Sequence, residues 1–543
     1  MNGKLRTLVI SLSLVLIAGF VFVTFFLEGI LRNQLINKLE NTFHQFYQID
    51  FKSSQSALSG FNLSTQLKQV TFTTDTTQLQ AMEIYPAIFF EAKEFEIVGI
   101  HMFDLLFNNE LIIENIELKE PDLLILIPES GKMALPVSKK APEEKKNPLT
   151  AALFNQLEIS GGQAAAVWYE HPTDTLYAGR DLSLTISKLG LPLNYSEQIM
   201  KAMVVDNIEM DLSEGLFIPR LSPYRFAIKG SYLNLKDSIF TNYGIKAIPK
   251  SNLYKTSLGE DYRKTFFNIS ADTMHIKSAD LNALIKNNLI VASELELIHP
   301  SITLFQNMNL PRDEQVDKPV LGQVLHDIPM ELDVDTIKIR DLDLHYEILA
   351  KGQTQPAVID FTNLHGHFAN LRKSSDAMDT VLLELEGQFM EEGNIYFEAK
   401  FPLSDPKNQF YSGHIAAMPF ASFNPIFSHL GKINFQEGVI HNIYFTGTCS
   451  EFTNKGDMIF DYENLKVEFR TKRDRKAWLK SGLTNLLVRN NSKTNDQGKA
   501  TTVSYQYERP PFIGELGFIV HGITDGVAQV VLPRAAYRIF SKK

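Results

Sequence analysis

A single cysteine, Cys449, stands in 543 residues. That excludes an intramolecular disulfide framework and a cysteine-rich metal site. Positive charge is short as well, 53 Lys and Arg against 63 Asp and Glu, for a net charge of −10. A phosphate-gripping surface needs clustered Lys and Arg, so nucleic acid is not an expected partner. The chain carries no G-x-S-x-G, H-E-x-x-H, P-loop or G-x-G-x-x-G run, and no catalytic residue, cofactor or metal ligand is nominated on motif grounds. It is read as a non-enzyme. Trp occurs only twice, and the aromatic content is mostly Phe (38) and Tyr (18), residues that favour strands. The chain is too long for one compact core, so several modules or an array are expected.

Long apolar runs are missing except for one. Thr7–Leu27, TLVISLSLVLIAGFVFVTFFL, is uncharged, and about 20 such residues in a helix cross a hydrocarbon core. A signal peptide competes for the same residues. The apolar stretch is longer than such peptides use, and no clear small-x-small cleavage site follows Phe26. An uncleaved single-pass anchor is therefore expected at 7–27. Lys4 and Arg6 precede it and Glu28 follows, which puts residues 1–6 in the cytoplasm and the bulk of the chain across the membrane. Ile30, Leu31, Leu35, Leu39 and Phe43 recur at helical spacing, so a juxtamembrane helix is expected over 28–48.

What the chain has in quantity is a repeat. Asn108–Pro121, NNELIIENIELKEP, returns ungapped at Asn287–Pro300, NNLIVASELELIHP. Each copy follows a short helix candidate, His101–Phe107 or Ala279–Lys286, and each ends in a Pro break before a second strand. Each is then followed by a charged, Pro-bearing loop (Lys132–Pro148; Asn309–Pro319) and by a second matching block (Leu153–Leu189; Ile328–Leu371). Two units of about a hundred residues result, near 93–190 and 271–371, and such self-similarity sets the architecture before any other signal. The division is then 49–270 as a first β region, 271–474 as a second, and 475–543 as C-terminal helices and a loop.

Alternation is clearest in the second unit. Leu332 and Val334 alternate with acids, Ile337 and Ile339 with Lys338 and Arg340, and Leu342, Leu344 and Tyr346 with Asp341, Asp343 and His345. The phase slips at Thr336-Ile337 and again before Leu342. A slip sends side chains to the wrong face unless a bulge or turn absorbs it. Leu383, Leu385 and Phe389 continue the pattern, and Ile395 and Phe397 return it past the Glu391–Asn394 turn, a hairpin with one apolar face. Asn424–Gly431 reads as a short helix and Arg475–Val488 as another. Phe512–Leu532 is expected as an amphipathic helix carrying Phe512, Leu516, Ile519, Ile523, Val527 and Val530 on one stripe.

Other side chains have plain readings. His365 and His367 could pair on a metal, but no third ligand cluster accompanies them, and a surface strand accounts for them better. Asp333, Asp335, Asp341 and Asp343 alternate with aliphatics and read as the wet face of a sheet. Cys449 reads as a strand residue. The apolar faces themselves have an ordinary alternative, two sheets packed into a sandwich core. An outer-membrane barrel also alternates, but an uncleaved helical anchor argues against it.

The anchor, the Ile97–Leu126 run, the LxVxxIxIxDLDLxY block at 332–346, Phe420–Phe469 and the Leu483–Arg509 tail together resemble the AsmA-like family of Gram-negative envelope proteins. That family is similar in fold to TamB and to the chorein-type bridge proteins. The resemblance implies a mainly β fold: an N-terminal transmembrane helix, then an elongated, curved, taco-like antiparallel β-groove of repeated units, with short helices and a C-terminal amphipathic helix. It implies inner-membrane attachment, a periplasmic body, envelope protein partners, and phospholipid transport between inner and outer membranes or outer-membrane biogenesis. Phospholipid acyl chains would lie on Leu332, Val334, Ile337, Ile339, Leu342, Leu344, Leu383, Leu385, Phe389, Ile395 and Phe397. A non-transporting structural or assembly factor of the envelope is the alternative.

Overall fold

The computed structural model describes residues 47–74, 87–127, 151–169, 175–192, 204–280, 289–328, 331–373, 379–430, 433–469 and 488–534, with His171, Ala283 and Tyr537. The anchor at 7–27, the juxtamembrane stretch, the Lys132–Pro148 loop, most of Ala279–Lys286 and the helix expected at 475–488 lie outside them. No helix among the described residues is long and apolar enough to cross a membrane. The described residues are mainly β and form two compact units. The first runs to Arg220 with 227–239; the second comprises 221–226 and Phe240 onward.

The first unit contains β1 (Tyr47–Ser59), β2 (Asn62–Thr74), β3 (Ala87–His101), β4 (Glu110–Ile127), β5 (Ala151–Trp168), β6 (Thr175–Pro192), β7 (Asn207–Leu212) and β8 (Glu214–Phe217). β9 (Tyr224–Ile228) and β10 (Gly230–Asn234) are short. Each of β1 to β6 pairs with the next, and β7 and β8 share the far side of β6. The second unit contains β11 (Ile239–Pro249), helix α1 (Leu253–Leu258), β12 (Thr265–Lys277), β13 (Leu289–Ile298), β14 (Ser301–Asn307), helix α2 (Leu321–His326), β15 (Glu331–Leu349) and β16 (Ala357–Lys373). It continues with β17 (Thr380–Phe389), β18 (Gly393–Pro402), β19 (Gln409–Ile415), β20 (Met418–Pro419), helix α3 (Asn424–Leu430), β21 (Ile433–Cys449), β22 (Thr453–Phe469), β23 (Thr502–Glu508) and helix α4 (Glu515–Val531).

Pairing is mostly antiparallel, with a departure that recurs in both units. β4 and β5 run parallel, and so do β13 and β14 against β15. A tight hairpin cannot join parallel neighbours; the chain must first return to the end it came from. The connections from β4 to β5 and from β14 to β15 are of equal length and long enough for such a return, which their composition alone does not reveal.

The two copies share their register. The pairings Lys119 with Ser160 and Ile159 with Leu184 match Ile298 with Arg340 and Ile339 with Gly366. The backbone repeats its unusual residues too. Positive φ occurs at Gly99, Glu120, Gly161, Asp181 and Lys188 in the first copy, and at Ser278, His299, Asp341, Asn363 and Asn370 at the matching places in the second. For a residue with a Cβ this conformation costs about 1–2 kcal/mol, so its recurrence marks a shared design. Three of them, Glu120, Gly161 and Asp181, line up across β4, β5 and β6. Two flanking pairings in β5–β6 shift register there, as they do at Ile339/Leu342 and Leu342/Leu344 in β15–β16. A row of bulges bends every strand it crosses, so each unit carries a crease.

These bulges explain the phase slips. Along β4 the buried positions are 111, 113 and 116, then 121, 123, 125 and 127, and Glu120 at φ 46° lies where the phase changes. In β15, Asp341 at φ 56° absorbs the slip before Leu342. The slip at Thr336-Ile337 differs: β15–β16 pairing runs unshifted through it, and Asn370 on the partner strand holds the positive φ instead. Pro121 does not break the first copy, because β4 continues through it while Pro300 separates β13 from β14. The helix expected at 101–107 is one π turn, Asp104–Asn108, with β3 reaching His101. β22 runs unbroken through Thr453–Phe469 and is bulged at Asn464.

Candidate functional site

The eleven candidate lining residues fall into two side-chain clusters. Leu332, Val334, Leu383 and Phe389 are buried in the larger one, with Ile337 and Phe397 packed against it. Ile339 and Leu342 form the smaller with Leu364, and Leu344 packs on it. Leu385 and Ile395 touch both, so the apolar surface is continuous. Ile337, Leu344, Leu385, Ile395 and Phe397 are half-buried. The other six are at most 8% exposed.

Register carries the surface onward from strand to strand. Leu385 sits opposite Phe397 and Leu383 opposite Ala399. Ile395 sits opposite Ile415, which faces Ile443, which faces Phe460. Phe445 meets Met458, and Met458 meets Val503. Alternation at period two keeps all of these on one face. The opposite face is charged: Arg372 pairs with Asp333 at 3.4 Å and also with Asp335, and His365 with Glu386 at 3.0 Å. His365 Nδ1 also lies 3.1 Å from the Asn363 carbonyl, so that ring is engaged by the sheet.

Helices close the apolar face at two places. α3 packs on both β16 and β21. Those strands are four steps apart, about 19 Å in a flat sheet, whereas a seven-residue helix spans about 10 Å. The sheet of this unit therefore curls around α3. Asn424 staples the helix to β21, accepting from the Phe435 N–H at 2.7 Å and donating to its carbonyl at 3.1 Å. Phe389, Phe423, Phe427 and Phe435 fill the turn with ring centroids 5.4–6.4 Å apart.

α4 closes the other place, against β22 and β23. Its expected stripe is only half right. Ile519, Ile523 and Val527 are half-buried, while the deepest line is Phe518, Gly522 and Gly526. A Cβ on Gly522 would sit 2.3 Å from the Asn454 amide, and one on Gly526 3.1 Å from Met458 Sδ. Glycine lets the helix axis approach the strands, a face that a hydrophobicity count misses because it has no side chains.

Beneath α4 lies a buried polar group that sequence reasoning did not nominate. Tyr411 Oη donates to Asn454 Oδ1 at 2.8 Å and lies 2.8 Å from Tyr505 Oη. Tyr505 also donates to the Thr446 carbonyl, and Asn454 to that of Phe518. Burial pushes Tyr505 up to about 12 and Tyr411 higher still, so both phenols stay neutral at any physiological pH. An open cleft of about 800 Å³ adjoins this pair, bordered by Thr446, Lys455, Asp457, Ser504, Asp525 and Gln529. The available signal was the Gly413, Gly447 and Gly456 set, which leaves room for Phe445, Tyr411 and Tyr505.

In the first unit the same strip is present, with large and small residues exchanged between positions. Ala152, Phe154, Leu157 and Ile159 stand where Leu332, Val334, Ile337 and Ile339 stand in the second. The crease divides its apolar side chains into a cluster around Ile97, Ile113, Ile116 and Ile159 and another around Ile88, Leu123, Ile125 and Leu176. The class defined is a duplicated, creased β-sheet protein whose second unit carries a continuous apolar strand face. Neither a protein-family model, nor a curated protein, nor a solved structure matches the chain.

Proposed function

We propose that the protein is an inner-membrane-anchored, AsmA-like envelope protein whose apolar strand face carries phospholipid acyl chains between the inner and outer membranes. The observation that carries this reading is the unbroken row of aliphatic and aromatic residues from Leu344 through Leu385, Phe397 and Ile443 to Met458. Each acyl CH₂ in water costs about 0.8 kcal/mol. A strip that offers the same apolar environment at every strand removes that cost without any specific polar site. The half-buried members, Ile337, Leu344, Leu385, Ile395 and Phe397, are where a chain would insert first, because admitting it displaces the fewest existing contacts.

The test is extraction of the full chain in mild detergent, followed by mass spectrometry of co-purifying lipid. Leu344→Asp and Phe397→Asp should lose that lipid while circular dichroism stays that of a folded β protein. An empty wild-type chain sinks the proposal. The deep burial of Leu332, Val334 and Leu383 favours a second reading, a structural or assembly factor with a closed core. On that reading no lipid accompanies the wild type, and the two charged variants either both unfold or change nothing.

A further inference from the structure

Four large apolar side chains crowd one end of the first unit and face solvent. Phe61 is 73% exposed, Phe103 53%, Leu106 66% and Phe107 70%. Phe61 lies in the β1–β2 turn, and its carbonyl accepts from the Met102 N–H at 2.9 Å, so the turn and the π turn form one tip. The Phe103 and Phe107 rings lie 4.9 Å apart. Immediately inward, Leu63, Met102 and Leu105 pack on the buried cluster of Ile97, Ile100 and Ile113, so apolar surface runs without a gap from the tip into the strip.

The second copy of the repeat acts as an internal control. Met102 and Leu105, which point inward, correspond to Leu281 and Leu284. Leu106 corresponds to Ile285. Phe103 and Phe107 correspond to Asn282 and Lys286. The repeat therefore needs the inward pair, but it does not need two rings on the outside. The repeat pattern does not call for rings at Phe103 and Phe107, and exposed aromatics cost solubility while contributing little packing.

We propose that this tip dips into the surface of a zwitterionic phospholipid bilayer and is where an acyl chain passes between membrane and strip; the second clause rests on the acyl-carrying function proposed above. Aromatic side chains favour the bilayer interface. The loop from Met102 to Glu110 holds Asp104 and Glu110 and no Lys or Arg, which selects against an anionic surface.

The experiment uses the full chain reconstituted in phosphatidylcholine–phosphatidylethanolamine vesicles whose acyl chains carry bromine. Phe107→Trp is compared with Leu258→Trp, a position 56% exposed in α1, after subtracting the signal of the two native tryptophans. The indole of the Phe107→Trp variant should be quenched and that of Leu258→Trp should not. Equal quenching of the two, or none in Phe107→Trp, overturns the proposal. The double variant Phe103→Asn/Phe107→Lys gives the first copy the second copy's residues at two exposed positions and should keep the fold, as read by circular dichroism. It should slow uptake of fluorescent phospholipid from vesicles about tenfold or more while leaving the amount of co-purified lipid unchanged. Unchanged uptake overturns the acyl-entry clause. A wild-type chain without lipid, together with a quenched Phe107→Trp variant, would overturn the acyl-carrying function and leave the bilayer contact standing.

Discussion

The two copies of the repeat share a backbone and an apolar pattern, and differ in most of the residues at their bends. Five positive-φ residues fall at matching places, yet they are Gly99, Glu120, Gly161, Asp181 and Lys188 in one copy and Ser278, His299, Asp341, Asn363 and Asn370 in the other. Lys93 pairs with Glu120 at 2.6 Å, and at the same place Asp272 pairs with His299 at 3.0 Å. The signs of charge have changed partners. The lesson is that the crease belongs to the chain trace, while the side chains on it are free to serve other ends.

The largest test of that equivalence is in the core. Ile159 and Ile339 occupy one repeat position and are 5% and 8% exposed. Ile→Ala at either should cost about 3 kcal/mol, within the usual 2–5 for such truncations, as read by urea denaturation followed through fragments of each unit by hydrogen exchange. A much smaller loss at 339 would break the comparison and show that the second copy's strip already tolerates a void. Next come the crease residues. Asp341→Gly copies the first unit and should be neutral or slightly stabilising, whereas Asp341→Val forces a branched residue to φ 56° and should cost about 1–2 kcal/mol. Equal effects of Gly and Val at 341 would remove the crease from the account.

How much of this the sequence disclosed follows from what its patterns encode. The Asn108–Pro121 repeat was legible because ladder and core both constrain it, and the alternation in β17 and β18 was legible because one face is wet and the other dry. The parallel pairings were not, since no residue type marks a strand's direction; the length of 128–150 and 308–330 allows a crossover without requiring one. The glycine face of α4 was hidden because helical periodicity is counted on side chains that Gly522 and Gly526 lack. The Tyr411–Asn454–Tyr505 group comes from three strands far apart in sequence, and nothing local announces it. The anchor falls outside the described residues.

Acid should separate the copies more gently. Glu294 on β13 accepts from Lys277 at 2.7 Å and pairs with Lys338, and those two ammonium groups lower its pKa from 4.5 to about 2. The first copy has Asn115 at that position. Because the folded-state value is depressed, the stabilisation is present above pH 4.5 and is lost as pH falls toward 2. With the carboxylate partly open to solvent it amounts to about 1 kcal/mol. Glu294→Gln should flatten the pH dependence of amide exchange in β12, β13 and β15 over that window and leave β3 to β5 alone, where Glu94 is instead held down by Lys119. A change in β3 to β5 would mean that the copies do not respond to acid independently.

The smallest effect is the most direct trial of interchangeability. Both members of the Lys93–Glu120 pair are more than 60% exposed, and an exposed ion pair is worth at most about 1 kcal/mol. Lys93→Asp alone sets two carboxylates together across β3 and β4 and should cost about 0.5 kcal/mol. Adding Glu120→His rebuilds the second copy's pair in the first and should recover that loss below pH 6, where the imidazole carries charge, and only part of it at pH 8. Recovery at both values would show that shape at the crease matters and charge does not. Failure at both would mean that His299 depends on Asp341, 3.4 Å from its other ring nitrogen, a partner the first copy replaces with Gly161.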